Sequence, residues 1–326
     1  MIVTRSPLRI TLGGGGTDIP FFYKKYGAAF VSASINKHVY VAINKIRDRK
    51  YTLRYSNFED ISDVNSIKHP IIREAIKLLD IKPGIEITSF ADIPSGTGLG
   101  SSGAFSVALI KALSIYKKEN ISQRDLAKIA SKIEIEILKE NVGLQDTYCS
   151  ALGSLRFFKI NKAGVVSSTD LLKANPDLKK HFKNFYLINT NVSRNANDEL
   201  KNTIFLKDKN FIENNLLESK KIGIESRNLL ENYSNLASFS STLTNQWKVK
   251  LKRSPSKFHK NVNKTIVNLI ELGAAGGKLI GAGGGGFILI YSKPSNFSNI
   301  RDYLKSENLS YFNLELDTKG TTHFEL

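Results

Sequence analysis

The sequence contains little that would crosslink the chain, hold a metal ion by itself or anchor it in a membrane. Its 326 residues include one cysteine, Cys149, so no disulfide can form within the chain, and this fits a reducing compartment. The five histidines are scattered and show no metal-site spacing. No run approaches the ~20 apolar residues that a membrane helix requires, and the first residues read as a strand rather than a signal peptide. We therefore expect a cytoplasmic protein without a membrane partner.

Acidic residues are few relative to basic ones. The 47 Lys and Arg and 30 Asp and Glu give a formal net charge of +17, which makes nucleic acid a candidate partner. A basic RNA-binding protein is therefore one hypothesis. The lysines are, however, spread along the chain, and the densest basic cluster, residues 248–253, is short. We interpret the charge as a solvated surface that helps to collect anionic phosphate substrates, and we expect no nucleic-acid partner.

The glycine-rich stretch 92–104 is the most informative part of the chain. The preceding residues 85–90 alternate like a strand, and apolar side chains from Phe105 to Tyr116 recur at intervals of three and four, as in a helix. The unpaired N–H groups and the dipole at such a helix start bind anions, most naturally phosphate. The residues predicted to bind phosphate are Pro94, Ser95, Gly96, Thr97, Gly98, Leu99, Gly100, Ser101 and Ser102.

Two other phosphate-binding motifs can be compared with this stretch. Residues 98–103 match G-x-G-x-x-G, but a dinucleotide-binding fold places that motif in its first βαβ unit, and here it follows some ninety residues of chain. A Walker A loop is absent, because Gly277-Lys278 is followed by Leu279. We therefore disfavour both readings.

Two further glycine clusters and two charged residues stand out. Residues 13–16 are four glycines, followed by Thr17 and Asp18, and residues 281–286 hold five glycines between two apolar strands. We expect both clusters to pack closely against backbone or ligand, and we expect the second to pack against the glycine-rich stretch 92–104. Arg9 lies in the strand before the first cluster, where it is either a site residue or an ordinary edge residue. Asp146 lies in a weakly charged stretch, where it is either a partly buried site carboxylate or a helix N-cap for residues 147–152.

The elements fall into two groups. A change of composition near Asn175-Pro176 predicts a boundary between residues 1–175 and 176–326. In the first part we predict separate strands at 29–34 and 39–44, and a helix over 122–137 that a capping box at Ser122 begins. In the second part, strands near 185–190, 277–280, 286–291 and 311–316 alternate with helical stretches at 198–232, 260–272 and 296–306. This is the β-α-β-β-α-β order of ferredoxin-like domains.

The three glycine clusters, together with Gly143-Leu-Gln-Asp146, resemble the GHMP kinases over nearly the whole chain. Residues 6–18 look like the first family motif, residues 94–104 like the phosphate loop and residues 278–287 like the third motif. Within the family, Gly14-Gly15-Gly16-Thr17-Asp18 and Gln145-Asp146 are most similar to the anomeric sugar kinases. The resemblance implies an α+β, two-domain GHMP kinase fold. Its ATP-binding N-terminal domain would resemble ribosomal protein S5 domain 2, its C-terminal domain would be ferredoxin-like, and the site would lie between them.

The resemblance also implies roles for single residues, with ATP and Mg²⁺ as cofactors. Ser102 would bind Mg²⁺, and Glu134 rather than Glu136 would complete the metal site. Asp146 would take the proton of the acceptor hydroxyl, and Arg9 would orient Asp146 and stabilise the transferring charge. The expected substrate-binding residues are Gly14, Gly15, Thr17, Asp18, Arg194 and Gly284. Arg194 is offered for an acceptor phosphate, with an exposed loop arginine as the alternative.

The activity implied by the resemblance is ATP-dependent phosphorylation of the anomeric hydroxyl of a sugar phosphate. The expected acceptor is D-glycero-D-manno-heptose 7-phosphate and the product its 1,7-bisphosphate, which would feed nucleotide-activated heptose synthesis for surface polysaccharide. An L-fucose-type 1-kinase is the alternative. Galactokinases carry Glu-His where this chain has Gly15-Gly16, which disfavours a plain galactokinase. Thr147 and Leu144 also depart from the pattern of the heptose branch and leave the acceptor open. We expect a monomer or homodimer.

Overall fold

The structure is a computed structural model that describes residues 1–192, 208–232, 236–254, 256–281 and 285–325. Two predicted substrate contacts, Arg194 and Gly284, lie outside these ranges. Helices and two sheets build a mixed architecture, so the predicted α+β class is confirmed. None of the helices in the described ranges combines the length and apolar character needed to span a membrane.

The strands form two separate sheets. In chain order they are β1 (Ile2–Gly13), β2 (Ala28–Lys45), β3 (Tyr51–Arg54), β4 (Phe58–Ile61), β5 (Ile85–Ala91), β6 (Leu155–Ile160), β7 (Val166–Asp170), β8 (Phe185–Asn189), β9 (Gly276–Leu279), β10 (Phe287–Tyr291), β11 (Tyr311–Asn313) and β12 (Thr322–Glu325). The first sheet has the order β12-β1-β2-β5-β3-β4, with β6 added to β2 and β7 to β6. The second has the order β11-β8-β10-β9.

The helices flank these sheets. Those of the first half are α1 (Pro20–Tyr26), α2 (Pro70–Leu78), α3 (Ser101–Tyr116), α4 (Gln123–Ser131), α5 (Gln145–Leu152), α6 (Leu171–Ala174) and α7 (Leu178–His181). Those of the second half are α8 (Lys209–Asn232), α9 (Leu236–Arg253), α10 (Lys257–Glu271) and α11 (Phe297–Ser306). Short 3₁₀ turns occur at Val64–Ser66, Phe182–Asn184 and Pro294–Asn296.

Strand β2 is continuous where the sequence predicted two strands. It pairs with β6 through residues 28–33 and with β5 through residues 39–45. Asn36-Lys37 lies between the two predicted strands, opposite an irregularity in the pairing with β1 between Pro7 and Leu8. The prediction of two strands is therefore wrong, because a bulge bends one long strand without ending it.

Helix α3 is buried along nearly its whole length because it lies between the first sheet and two other helices. It packs on β1 and β2, with α4 and α5 on its other side. Its apolar positions therefore recur all round the helix, and Val107, Ala108 and Ile110 are all fully buried. This packing fixes the start of α3, and hence the phosphate loop, relative to β1.

The helix predicted over residues 122–137 is only partly α-helical. It begins as predicted, since the Ser122 hydroxyl accepts the Asp125 N–H at 3.2 Å. Helix α4 ends at Ser131, however, and Lys132–Ile137 form a π-helical turn. Such turns are rare in proteins, and those that occur are often found at functional sites. This one carries Glu134.

The second sheet has the predicted ferredoxin-like arrangement. Helices α8, α9 and α10 connect β8 to β9, a glycine-rich turn joins β9 to β10, and α11 connects β10 to β11. Every strand pair in this sheet is antiparallel. Helix α9 was not predicted, because the strand–helix order needs only one helical connection there.

One hydrophobic cluster spans the two sheets, and a second cluster, which includes Ile188 and Trp247, lies in the second half alone. Phe239, Leu289 and Leu314 from the second half belong to the same buried cluster as Leu8 and Val107. The last strand, β12, also returns to the first sheet and pairs with residues 2–5 of β1. The predicted domain boundary at 175/176 stays a prediction. Strand β12, which follows that boundary in the sequence, is nevertheless part of the first sheet.

Candidate active site

A cleft of about 1210 Å³ lies where the two sheets meet. The phosphate loop, the first glycine cluster and Gly281 of the third line it, together with Arg9, Asp18 and Asp146. Residues separated by more than two hundred positions in the sequence thus face one cavity. Such a cleft between two units of a chain is where small ligands usually bind.

The phosphate loop turns by means of three alternating glycines. Gly96, Gly98 and Gly100 have φ angles of 78°, 76° and 77°, a conformation that other residues seldom adopt. Gly100 directly precedes α3, so the free N–H groups of the helix start face the cleft. Most of the predicted loop residues line the cleft: Pro94, Ser95, Gly96, Gly98, Gly100, Ser101 and Ser102.

Two of the predicted loop residues are buried in the cleft wall instead. Leu99 is fully buried, and its carbonyl accepts the N–H of Arg9 at 2.8 Å. Thr97 is nearly buried, and its hydroxyl donates to the Pro94 carbonyl. Their contribution is to hold the loop in shape and to tie it to β1.

The third glycine cluster packs against the phosphate loop, as the sequence led us to expect. A Cβ on Gly281 would overlap the Gly98 Cα, and a Cβ on Gly286 would overlap the Thr97 carbonyl oxygen. Backbone therefore meets backbone at a distance that only glycine allows. Through this contact the second sheet supports the loop of the first.

Arg9 and Asp146 form an ion pair at the floor of the cleft. The Arg9 Nε donates to Asp146 Oδ1 at 2.6 Å, and its Nη1 donates to the Gly98 carbonyl at 2.6 Å. The non-functional alternatives, an ordinary edge residue for Arg9 and a helix N-cap for Asp146, are both wrong. Arg9 is 7% exposed in a central strand rather than at an edge. Asp146 lies in the first turn of α5, whose N-cap is Leu144.

The glycines of α3 make room for this ion pair. A Cβ on Gly103 would come within 2.6 Å of the Asp146 Cβ, and one on Gly100 within 3.0 Å of the Arg9 side chain. Burial tends to lower the pKa of the Arg9 guanidinium, but the adjacent Asp146 carboxylate raises it overall, so Arg9 stays charged. The pair thus presents a fixed carboxylate oxygen beside the phosphate-binding helix start.

Asp18 lies on the wall next to Asp146. Its Oδ2 accepts the Gln145 N–H at 3.1 Å, and a Cβ on Gly143 would overlap the same oxygen. Burial, and next the negative charge of Asp146, raise the pKa of the Asp18 carboxyl above its ordinary value. Asp18 therefore faces the cleft as a second carboxyl group within the field of Asp146.

Glu134 and Ser102 meet at the other side of the helix start. The Ser102 hydroxyl donates to Glu134 Oε1 at 3.1 Å, and the Ser106 hydroxyl donates to the same oxygen. Glu134 is 3% exposed, whereas Glu136 points to solvent. Burial, together with the charge of Asp146, raises the pKa of the Glu134 carboxyl to about 7, although the hydrogen bonds from Ser106 and Ser102 oppose this shift.

This donor set fits a Mg²⁺ ion that binds together with a nucleotide. No group of three or more His, Cys, Asp or Glu side chains in the described residues could hold a metal. Mg²⁺ bound with a nucleotide, however, commonly takes only one or two protein oxygens, and phosphates and water supply the rest. Glu134, which forms no ion pair with any residue in the described ranges, and the Ser102 hydroxyl at the phosphate loop match that requirement.

The first glycine cluster contributes only in part to the lining. Gly15, Gly16 and Asp18 line the cleft. Gly14 faces away, since a Cβ there would overlap the Ala29 carbonyl oxygen, and its N–H donates to Gln246 Oε1. Thr17 is fully buried and donates to the Gly14 carbonyl. Two of the predicted substrate contacts therefore shape the loop behind the cleft surface.

Several cleft residues were not proposed as site residues from the sequence, among them the polar residues Gln246, Lys250, Arg253 and Lys278. The first three lie on α9 at positions i, i+4 and i+7, which places them on one helix face. That spacing was the available signal. The interpretation of cluster 248–253 as solvated surface holds for Lys248, which is exposed, but it is wrong for Lys250 and Arg253.

The far end of the cleft is apolar and aromatic. Val39, Tyr55, Phe90 and Phe105 line it, and the His69 ring packs between Tyr55 and Phe105 at centroid distances of 4.8 and 5.1 Å. Burial lowers the pKa of His69, which favours its neutral ring. A ring-lined end next to a phosphate loop suits a planar base.

Comparison with known proteins agrees with this geometry. Residues 68–154 match the GHMP kinases N terminal domain. The chain is 27% identical to the D-glycero-alpha-D-manno-heptose 7-phosphate kinase of Campylobacter jejuni, over 94% of each chain. It is 25% identical to the L-fucokinase/L-fucose-1-P guanylyltransferase of Bacteroides fragilis, covering 92% of this chain and 35% of that protein. The structure of a D-glycero-D-manno-heptose 1-phosphate kinase from Bacteroides thetaiotaomicron superposes with a TM-score of 0.81 at 20% identity, over 100% of this chain and 99% of that one.

The family match, the fold and the relative aligned over nearly the whole chain make this protein a kinase, that is, a phosphotransferase that takes its phosphoryl group from ATP. The chain is similar to the GHMP kinases, and residues 68–154 match the N-terminal domain of that family.

Proposed function

We propose that the protein transfers the γ-phosphoryl group of ATP to the anomeric hydroxyl of D-glycero-D-manno-heptose 7-phosphate and so forms the 1,7-bisphosphate. The product would enter nucleotide-activated heptose synthesis for surface polysaccharide. The relative from Campylobacter jejuni, similar over 94% of both chains, supports this acceptor. The observation that carries the proposal is the Arg9–Asp146 pair, 2.6 Å apart, beside the phosphate loop.

Asp146 has the position of a general base. The acceptor hydroxyl would give its proton to the Asp146 carboxylate while its oxygen forms a bond to the γ-phosphorus. The bond from that phosphorus to the β–γ bridging oxygen breaks, and ADP leaves. An anomeric hydroxyl is more acidic than an ordinary alcohol, so a carboxylate suffices as base. Arg9 fixes the base and offers positive charge to the phosphoryl oxygens.

The phosphate loop and the Ser102–Glu134 pair would hold the donor. The N–H groups at the start of α3 neutralise phosphate oxygens. Ser102 and Glu134 would hold Mg²⁺, which supplies positive charge at the β- and γ-phosphates when bound. Asp18, in the cleft wall next to Asp146, would accept hydrogen bonds from sugar hydroxyls.

An L-fucose-type 1-kinase is the second candidate. The Bacteroides fragilis relative aligns over 92% of this chain, and Gly15 and Gly16 leave the cleft wall without side chains of their own. This reaction would use the same base and the same donor site. It differs in that the acceptor carries no phosphate, so the basic residues of the cleft would have no second anion to bind.

A panel of acceptors tests the proposal. ADP release would be measured with ATP and Mg²⁺ and, in turn, heptose 7-phosphate, sedoheptulose 7-phosphate, mannose 6-phosphate, L-fucose, galactose and mevalonate. We expect turnover with heptose 7-phosphate far above the others, and ³¹P NMR would locate the new phosphate at C1. Turnover with L-fucose alone would favour the second candidate. Turnover with none of the six would leave the kinase class intact and refute the acceptor.

A further inference from the structure

Two cations, the half-buried Arg253 and the buried Lys278, line the cleft away from the phosphate loop. Arg253 Nη1 donates to Asn215 Oδ1 at 3.1 Å, and its Nη2 lies 3.4 Å from where a Cβ on Gly16 would be. Lys278 is 4% exposed, and its Nζ donates to the Thr11 carbonyl at 3.0 Å. Both hydrogen bonds go to uncharged oxygens.

Within the described residues, neither cation has a carboxylate partner at ion-pair distance. Burial lowers the pKa of Arg253 to about 10, and burial together with the charges of Arg9 and Arg253 lowers the pKa of Lys278 to about 7. Buried charge without a counter-ion is unfavourable. An anionic ligand bound between these two groups would act as the missing counter-ion and favour their charged forms.

The positions of these cations separate them from the phosphoryl donor. Arg9 and Thr11 point to the same face of β1, about 7 Å apart along the strand. Arg9 contacts the phosphate loop at Gly98, whereas Lys278 contacts Thr11. Arg253 lies farther on, between Gly16 and α8. The row Arg9, Lys278, Arg253 thus leads from the reacting centre towards the acceptor side, where Asp18 also lies.

A phosphorylated acceptor has its second phosphate remote from the hydroxyl that reacts. We propose that Arg253, with Lys278 beside it, binds this phosphate monoester and so selects sugar phosphates over free sugars. The inference rests on the proposed function, because it takes the acceptor to be phosphorylated. It assigns to α9 and β9 the task that the sequence analysis gave to Arg194.

The test compares two acceptors that differ only in the phosphate. The kcat/KM of wild type, Arg253→Gln and Arg253→Lys would be measured with heptose 7-phosphate and with the unphosphorylated heptose. We expect Arg253→Gln to lose roughly 10- to 100-fold with heptose 7-phosphate through a higher KM, as for a lost charge-assisted hydrogen bond. The free heptose and the KM for ATP should be unaffected. Arg253→Lys should recover part of the loss, and Lys248→Gln, on the exposed face of the same helix, should match wild type.

Other outcomes overturn the inference. An equal loss with both acceptors would mean that Arg253 acts on the transferring phosphoryl group or supports the fold. No loss with either would mean that it does not contact the substrate.

A binding experiment separates this inference from the proposed function. Calorimetric titration of the two acceptors without nucleotide needs no turnover. If wild type fails to phosphorylate heptose 7-phosphate, the proposed function fails. The phosphate site still stands if wild type binds the sugar phosphate more tightly than the free sugar and Arg253→Gln does not. If wild type shows no such preference, the phosphate site fails as well.

Discussion

At the scale of single residues, Asp146 combines the catalytic role that we propose with a structural one. Its carboxylate holds Arg9 and also faces the helix start where the donor phosphates are expected. Replacing it by Asn keeps the side-chain shape and a hydrogen-bond acceptor but removes the base. We expect Asp146→Asn to lose roughly 10²–10⁴-fold in kcat, while ATP binding, measured by calorimetry, stays near the wild-type value.

The Asp146→Asn experiment needs a check on folding, because Arg9 loses its charged partner. Thermal unfolding followed by circular dichroism supplies that check, and Asp302→Asn, an exposed carboxylate on α11, is the matched control. Turnover close to wild type in a folded Asp146→Asn protein would rule out the base assignment.

Glu134 offers a prediction about pH and stability. Its pKa is raised by burial from 4.5 to about 7 in the folded protein. Between these pH values the folded state binds a proton that the unfolded chain does not, so the free energy of unfolding falls as pH rises through this window. Gln has no such titration. Without Mg²⁺ we expect Glu134→Gln to be more stable than wild type by about 3 kcal/mol near pH 8, and equal to it near pH 4.5.

Urea unfolding at the two pH values measures the Glu134 effect, and exposed Glu136→Gln is the control. The same Glu134→Gln protein should lose most of its Mg²⁺-dependent turnover if Glu134 holds the metal. A variant less stable than wild type near pH 8, or a difference independent of pH, would contradict the titration argument.

At the scale of elements, the contact between the phosphate loop and the third glycine cluster links the two sheets. Gly281 has a φ of 74°, and a Cβ there would overlap the Gly98 Cα. Gly164 has a similar φ of 82°, but its nearest neighbour, on the Tyr23 ring, would be an ordinary 3.5 Å away. Alanine at either site meets the same backbone strain, about 1–2 kcal/mol, and only Gly281→Ala also displaces the loop.

We therefore expect Gly281→Ala to lower kcat/KM for ATP by roughly 10²-fold, as a displaced site would, and Gly164→Ala to affect only stability. Steady-state kinetics and urea unfolding of both variants separate the two effects. If the two variants lost equal stability and kept equal activity, the loop would not depend on its contact with Gly281.

Elements with a strong periodic pattern were predictable, and those defined by tertiary contacts were not. The strand 85–91, helix α3, the Ser122 cap and the ferredoxin-like order followed from apolar spacing and capping residues. Helix α9 did not, because Ser and Thr in its first half have weak helix propensity. Burial against α8 and β9 stabilises it, which the sequence shows only indirectly.

The candidate site divides in the same way. Glycine-rich loops and a carboxylate in an apolar stretch can be recognised in the sequence, so Arg9, Asp146 and the phosphate loop could be predicted as site residues. The direction in which a loop residue points depends on what packs behind it, and this decides between Gly15, in the cleft, and Gly14, against β2. Lys278 belongs to a recognised glycine motif, but its burial against Thr11 arises only when the two sheets meet.

At the scale of the whole molecule, the last residues of the chain pack against the first sheet. Strand β12 covers the edge of β1, Thr321 bonds to Ser6, and the loop at Gly320 packs on Gly153. The basic excess is likewise not uniform: part of it lies inside the cleft, on α9 and β9, where it can hold anions. Both features couple residues on the two sides of the predicted boundary at 175/176.

Unfolding experiments test whether that boundary separates two folding units. Because Phe239, Leu289 and Leu314 share a core with Leu8 and Val107, we expect the full chain to unfold in one transition. Fluorescence of Trp247, the single tryptophan and a residue of the second half, should coincide with far-ultraviolet circular dichroism. Residues 1–175 alone would lose the members of that core that the second half contributes, and also the β12 edge, so we expect them to show no cooperative transition.

A chain that ends at residue 317 is the matched control for this truncation. It loses β12 and the loop at Gly320 but keeps the shared core, so it should still unfold cooperatively, with a lower urea midpoint. A sharp transition in residues 1–175, or two separate transitions in the full chain, would mean that the first sheet is stable by itself. The cleft would then be an interface between independently folding halves, and closing it on substrate could involve their relative motion. A single transition instead implies that the Arg9–Asp146 pair and the cations of α9 and β9 are held by one cooperative core.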